Sequence, residues 1–152
     1  MSLARLVSIN RNRMSVKRIL GKLELPRSWV KALLLILLSA FFVNVGVDHF
    51  INPEFYLAIM PAYLPLHSEA VYISGFFEVL GGISVLFPRL RSAAGWGLVA
   101  LLIAVFPANI HMALNTDLFP EISPTLLYIR LVFQFIFIYW AYKVTRKDKL
   151  SL

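Results

Sequence analysis

Four long apolar runs are separated by short polar or basic segments along this chain. They cover residues 29–51, 70–87, 93–113 and 125–144. An α-helix rises about 1.5 Å per residue, so a run of about 20 apolar residues crosses the roughly 30 Å hydrocarbon core of a bilayer. Connections this short join antiparallel neighbours. The pattern predicts an all-α fold, an integral membrane bundle of four transmembrane helices.

The first connection, residues 52–69, is unusually apolar for an exposed loop. Proline is favoured at the first position of a helix, so Pro53 predicts a short helix with Asn52 as its N-cap. The apolar side of this helix carries Phe55, Tyr56, Ile59 and Met60. We expect a lid helix that lies in the membrane interface between spans one and two, above a pocket.

The two ends of the chain are basic. Residues 1–28 are predicted to be a cytoplasmic N-terminal segment, either a short interfacial helix or a disordered basic tail. Residues 145–152 are predicted to be a basic cytoplasmic tail. Met14 is a second candidate start, in which case residues 1–13 do not belong to the native protein. The transmembrane domain is then a single unit over residues 29–144.

Composition supports a membrane protein and excludes several other classes. Of the 152 residues, 59% are hydrophobic, and the mean hydropathy is +0.75. A soluble domain of this size is far less apolar. The chain has no cysteine, which excludes disulfides, thiol redox chemistry and thiolate metal sites. The net charge of +7 comes from residues that flank apolar runs, so we expect contact with the lipid bilayer and no nucleic acid partner.

Lysine and arginine are concentrated on one side of the predicted bundle. Fourteen of the 15 lie beside span ends that face the same side, and the connections 52–69 and 114–124 contain none. Basic residues are retained on the cytoplasmic side of a membrane. Both termini are therefore predicted to be cytoplasmic, and the bacterial inner membrane is the expected location.

Two charged residues lie deep inside the apolar runs. Glu78 is in the second run and shares a helix face with Ser74 and Gly82, at spacings of four residues. Arg130 is in the fourth run. A charge within the hydrocarbon core is expensive without a partner or a wet cavity. We expect Glu78 and Arg130 to pair, either to handle protons or only to hold two helices in register.

Counting residues from the basic ends places the other polar side chains at similar depths. The outer half of the bilayer is predicted to hold Asn44, Asp48, His49, Ser74, Asn109, His111 and Arg130, with Glu78 and Gln134 near the midplane. Four helices thus direct polar groups into an outward-facing pocket. Pro107 is expected to kink the third span, with Asn109 bonding to the kinked backbone. Asp48 and His49 can equally be the interfacial end of span one.

Several of these residues form a recurring pattern. The matching elements are Gly46, His49 and Phe50, Pro53, Pro61 with Leu64 and Pro65, the Ser74-Gly75-x-x-Glu78 motif with Gly81 and Gly82, Pro88 and Arg91, and the Phe106-Pro107-Ala108-Asn109 motif. In this combination the chain resembles the DoxX family of small four-helix membrane proteins. The resemblance spans residues 46–114 and extends loosely into the fourth run. The basic N-terminal extension is not part of the pattern.

The DoxX resemblance implies a fold more strongly than an activity, because one fold hosts many functions. The family takes its name from relatives of a thiosulfate:quinone oxidoreductase subunit. The first hypothesis is therefore a membrane subunit of an oxidoreductase complex, with a quinone or another small redox partner in the pocket. The candidate catalytic residues are Glu78, His49, His111 and Arg130. The candidate ligand-binding residues are Asp48, Ser74, Asn109 and Gln134.

Two other functions stay open beside this one. The second hypothesis is a non-enzymatic membrane scaffold or assembly factor, and the third is a small-solute carrier. Four short helices without an inverted repeat offer little room for alternating access, which disfavours the carrier. A protein partner or a second copy of the chain is expected. A heme held by His49 and His111 is the less favoured cofactor, and no ligand spacing indicates a metal site.

Overall fold

The computed structural model of the protein describes residues 23–146. The predicted interfacial helix of the N-terminal segment and most of the predicted C-terminal tail fall outside these residues. Within them the chain is helical and contains no β-strand, so the predicted all-α class is confirmed for this part of the chain. The helices are α1 (Trp29–Ile51), α2 (Pro53–Ala58), α3 (His67–Ser84), α4 (Arg91–Leu114) and α5 (Pro124–Thr145). A single 3₁₀ turn, Thr116–Leu118, lies between α4 and α5.

The ends of the helices follow local sequence signals. Ser28 precedes α1, and its hydroxyl accepts a long hydrogen bond of 3.5 Å from the backbone N–H of Lys31. Proline is the first residue of both α2 and α5, where its missing N–H leaves no helical bond unmade. The predicted side-chain cap by Asn52 is wrong. Its amide instead donates to a carboxylate oxygen of Asp48 at 2.6 Å, one helical turn earlier.

Three of the helices, α1, α4 and α5, are long and apolar enough to cross a membrane. The second predicted span corresponds to α3, which has 18 residues. Its mean hydropathy is lowered by His67, Glu69 and Glu78. Hydropathy by itself therefore identifies three helices able to cross a membrane, consistent with a membrane protein, and leaves α3 to be judged from its surroundings.

The helices pack as two closely associated pairs. The most extensive contacts join α1 to α3 and α4 to α5, and α3 also packs against α4. The contact between α1 and α5 is smaller. A buried apolar core fills one half of the bundle, formed by Leu35, Leu38, Phe42, Val85, Leu98, Val99, Leu102, Ala141 and Val144. On α1 these side chains recur every three or four residues, as expected for the inner face of a helix.

The basic ends of the described chain meet at the same end of the bundle. The Lys31 ammonium donates to the backbone carbonyl of Arg146 at 2.7 Å, which ties the start of α1 to the end of α5. The guanidinium of Arg91 donates to the carbonyls of Val85, at 2.8 Å, and Glu24. The turn between α3 and α4 therefore shares this end of the bundle with the start of α1.

Candidate functional site

A cavity of about 690 Å³ lies among the helices, in the half of the bundle beyond the apolar core. Aliphatic and aromatic side chains of α1, α3, α4 and α5 form most of its wall, and residues 55–64 contribute the rest. The predicted site residues that line it are His49, Ser74, Glu78, Asn109, Arg130 and Gln134. The cavity thus combines an apolar surface with a few polar groups, which is the usual composition of a small-molecule site.

Two glycines bring α1 and α3 together at one wall of this cavity. A Cβ atom on Gly46 would lie only 2.7 Å from the backbone oxygen of Gly75. A Cβ atom on Gly75 would lie 2.6 Å from the Cβ of His49. Both distances are too short for real atoms, so only glycine permits this approach of the two backbones. The approach sets His49 of α1 directly beside Glu78 of α3.

His49 and Glu78 form a buried contact, since each side chain is on a residue only 6% exposed. The Nδ1 atom of His49 lies 3.3 Å from Oε2 of Glu78 and 2.9 Å from the backbone oxygen of Val45. A carbonyl oxygen can only accept, so Nδ1 carries a hydrogen and donates it to Val45. Among the described residues, Oε2 of Glu78 is then left buried with no hydrogen-bond partner.

A second polar group connects α4 to α5. One guanidinium nitrogen of Arg130, Nη2, donates to the side-chain oxygen of Asn109 at 3.2 Å. The amide of Asn109 donates to the side-chain oxygen of Gln134 at 3.0 Å. The amide of Gln134 donates in turn to the backbone carbonyl of Leu102 at 2.6 Å. The three side chains therefore form one hydrogen-bonded chain that ends on the α4 backbone.

The predicted pair between Glu78 and Arg130 is not formed. No carboxylate oxygen within residues 23–146 makes a salt bridge to Arg130, and the ionisable partner of Glu78 is His49. The physical reason is the helix arrangement, because α3 packs against α1 and α4 whereas Arg130 on α5 reaches α4. The predicted bond from Asn109 to a kinked backbone is likewise replaced by its contacts with Arg130 and Gln134.

Asp48 lies outside the cavity and holds α2 against the end of α1. Its carboxylate accepts from the Asn52 amide at 2.6 Å and from the Tyr56 hydroxyl at 2.8 Å. The Tyr56 ring stacks on the His49 ring, with centroids 3.6 Å apart, and also lines the cavity. Burial and the bond to Asp48 raise the pKa of the Tyr56 phenol above its usual range, so this hydroxyl remains a donor.

His111 and Asn44 are also outside the cavity. His111 is in the last turn of α4, where its Nδ1 lies 3.1 Å from the Asn115 amide and its ring meets Tyr63 and Phe119 edge-on. Asn44 is exposed on the outside of α1. His49 and His111, the two predicted heme ligands, therefore do not share one cavity. Across residues 23–146, no three His, Asp or Glu side chains are grouped closely enough to hold a metal ion.

Three components of the site were not identified from the sequence. The carbonyls of Val45 and Leu102 are acceptors that every residue possesses, so no sequence signal distinguishes them. The Tyr56 hydroxyl did have a signal. Asp48 and Tyr56 are a carboxylate and a hydroxyl that lie only four residues on either side of Asn52, where α1 gives way to α2, so the chain reversal there brings an acceptor and a donor within reach.

The model of a family described as "Domain of unknown function (DUF8561)" matches residues 38–145. The chain belongs to the DUF8561 family. The matched residues include the whole lining of the cavity and all eight predicted site residues. The cavity lining described above thus lies within the DUF8561 region. No curated protein and no solved structure matches the chain.

Proposed function

We propose that this DUF8561 protein is a four-helix membrane subunit of an oxidoreductase complex, whose cavity binds the head group of a quinone or a similar small lipophilic redox partner. The observation that carries the proposal is the unpartnered Oε2 of Glu78, buried beside His49 at the cavity. Buried polar atoms in native proteins almost always have partners. A ligand hydroxyl can donate to Oε2 when Glu78 is a carboxylate, and a ligand carbonyl can accept from Oε2 when Glu78 is protonated.

The chemistry of the lining suits a quinone. A quinone ring needs apolar walls, a hydrogen-bond donor for each carbonyl oxygen and, on reduction, a proton for each. The carboxyl of Glu78 and the imidazole of His49 can exchange protons with one oxygen. The donors of Arg130 and Asn109 belong to a separate group on α4 and α5, which can serve the other oxygen.

The proposal treats α3 as the fourth span. Its outward side carries large apolar residues that are about half exposed, namely Ile73, Phe76, Phe77, Leu80 and Ile83. Such a surface on a helix between α1 and α4 is suited to lipid contact. Glu78, the residue that lowers the hydropathy most within the apolar stretch, points inward and is shielded from lipid. With four spans, both termini lie on the same side of the membrane. By our proposal this is the cytoplasmic side of a bacterial inner membrane, where basic flanking residues are retained.

The proposal also gives α2 the role of a lid. Phe55, Tyr56, Ile59 and Met60 line the cavity from the segment that joins α1 to α3. The hydroxyl of Tyr56 holds this segment to Asp48 at 2.8 Å. Release of that bond would free the lid for entry of a ligand. The DoxX resemblance supports this arrangement by analogy, and the relation of this protein to the DoxX family is part of the proposal.

The test is direct binding to the purified, full-length protein in mild detergent. Bound lipophiles are extracted and identified by mass spectrometry, and affinity is measured for a neutral naphthoquinone that carries a ring methyl group and a nine-carbon tail. We expect a quinone among the extracted lipophiles and saturable binding of the probe. Glu78→Gln should weaken binding, whereas Glu69→Gln, an exposed glutamate on the same helix, should not.

Two results would contradict the proposal. One is a wild-type protein that neither retains a quinone nor binds any naphthoquinone probe, neutral or acidic. The other is equal binding by wild type and Glu78→Gln, which would show that the Glu78 carboxyl takes no part in binding the ligand. A protein partner that co-purifies with a ligand-free cavity would favour the non-enzymatic scaffold.

A further inference from the structure

Arg130 is the only lysine or arginine in the interior of the predicted spans, and it lines the cavity. Its one hydrogen bond within the described chain goes to the neutral side-chain oxygen of Asn109, at 3.2 Å. No carboxylate in residues 23–146 forms a salt bridge with it. Glu78, by contrast, has the imidazole of His49 at 3.3 Å. The acid of the cavity thus has a basic neighbour, while its arginine forms no salt bridge with any described residue.

The neighbouring amides cannot supply the missing negative charge. The side-chain oxygen of Asn109 accepts a hydrogen bond from Arg130, and its amide donates to Gln134. The amide of Gln134 donates in turn to the backbone carbonyl of Leu102. This chain of bonds fixes the position of the guanidinium but remains electrically neutral. A guanidinium has five N–H donors, and its planar fork is suited to carboxylates and other oxyanions. Arg130 is therefore held in place at the cavity wall with donors to spare.

The face of α5 that carries Arg130 also offers a surface for the rest of a ligand. Phe133 and Phe137 follow at three and seven residues, share this face and line the cavity. The Phe137 ring stacks on Phe41 of α1 with centroids 4.6 Å apart. The guanidinium of Arg130 thus lies at one end of an aromatic wall formed by Phe133, Phe137 and Phe41. This arrangement suits a ligand with a charged head and an apolar body.

We infer that the ligand of this cavity is a lipophilic anion, whose oxyanion binds Arg130 while its ring or tail lies along the aromatic wall. This inference rests on the proposed function and narrows its ligand class. Within the quinone class, it selects acidic hydroxyquinones, in which a ring hydroxyl is deprotonated at neutral pH. A fatty-acid carboxylate presents the same charged oxygens without the ring.

The experiment compares two naphthoquinones that differ at one ring position. The neutral probe carries a methyl group there, and the acidic probe carries a hydroxyl group; both have the same nine-carbon tail. We expect the acidic probe to bind the full-length protein about tenfold to a hundredfold more tightly, as a hydrogen bond to a charged group implies. Arg130→Gln should abolish this preference. Lys143→Gln, which removes an exposed positive charge from the same helix, should retain it.

The outcomes separate the two proposals. Equal affinities for both probes, or tighter binding of the neutral one, overturn the inference and leave the proposed quinone site standing. If neither probe binds, the proposed function fails and the inference fails with it. Should Arg130→Gln not fold, Arg130→Lys retains the charge without the planar fork and should show a reduced or absent preference for the acidic probe; an undiminished preference in that variant counts against the role of the guanidinium.

Competition with laurate, a fatty-acid carboxylate without a ring, tests which oxygens can carry the negative charge of the ligand. Displacement of the acidic probe by laurate, dependent on Arg130, supports the inference and shows that the site also accepts a carboxylate. Binding of the acidic probe without displacement by laurate supports it equally and assigns the charge to an oxygen on a ring.

Discussion

The Nδ1 atom of His49 lies 3.3 Å from Oε2 of Glu78, across the closest approach of α1 and α3. The hydrogen on Nδ1 is directed to the carbonyl of Val45, so the carboxyl oxygen has an imidazole beside it but no donor of its own in the described chain. This tautomer leaves Nε2 of the neutral imidazole as an acceptor. Because the Val45 carbonyl takes the hydrogen on Nδ1, Oε2 of Glu78 and Nε2 of His49 are left able to bond to a third group.

The first prediction concerns the glycines that create this contact. Gly75→Ala should destabilise the protein by about 1–3 kcal/mol, because a methyl group there overlaps the His49 side chain. Thermal unfolding in detergent measures the loss. Gly97→Ala is the matched control, since a Cβ atom on Gly97 meets no other atom within 4 Å. Equal stability of the two variants would show that the approach of α1 and α3 is not as close as described.

The second prediction separates the observed partner of Glu78 from the one expected from the sequence. A double-mutant cycle of His49→Gln with Glu78→Gln should give a coupling energy of about 0.5–3 kcal/mol, as residues in contact do. A cycle of Glu78→Gln with Arg130→Gln should be additive within about 0.5 kcal/mol. Unfolding of the purified variants gives both values. A larger coupling for Glu78 with Arg130 would restore the pair predicted from the sequence.

The third prediction concerns the attachment of α2. Tyr56→Phe removes the hydroxyl that donates to Asp48 but keeps the ring that stacks on His49. Limited proteolysis should cut the segment 52–66 faster in this variant than in wild type, and bound ligand should dissociate faster. Tyr63→Phe, at an exposed position of the same segment, is the control. Identical cleavage rates for the two variants would exclude the Tyr56 bond as a latch.

The fourth prediction concerns the amide chain between α4 and α5. Gln134→Leu leaves the carbonyl of Leu102 and the amide of Asn109 without this partner in a buried position. Hydrogen bonds between membrane helices contribute about 0.6 kcal/mol on average and up to about 1.7 kcal/mol, so a loss of about 1 kcal/mol is expected. Val132→Leu, an exposed change on the same helix, should have no effect. Equal stability of the two variants would mean that the chain does not hold α4 and α5 together.

The fifth prediction concerns orientation. The start of α1, the end of α5 and the turn between α3 and α4 meet at one end of the bundle. In residues 23–146, every lysine and arginine except Arg130 lies in or beside these three segments. Single cysteines at Ser68 and Ser123 should react with an impermeant thiol reagent on intact cells. A cysteine at Ser92 should react only after the membrane is permeabilised. Labelling of Ser92→Cys on intact cells would invert the proposed topology.

Local sequence determined where the helices lie. The first predicted span, 29–51, coincides with α1, and the other three differ from α3, α4 and α5 by one to three residues at each end. Apolar run length, proline and polar boundary residues act within a few residues along the chain, so they can be read without knowing the fold. Residue counting along the helices also identified most of the polar side chains that line the cavity, because the rise per residue sets depth directly.

Tertiary structure decided which of those polar side chains meet. Depth along a helix does not give its rotation or its neighbour, and Glu78 and Arg130 were expected to pair on depth alone. The close contact of Gly46 with Gly75 brings Glu78 beside His49, and the packing of α5 on α4 brings Arg130 beside Asn109. The backbone acceptors at Val45 and Leu102 became part of the site only through that packing. Helix pairing depends on contacts between residues far apart in the chain, which is why local pattern could supply the members of the site but not their partners.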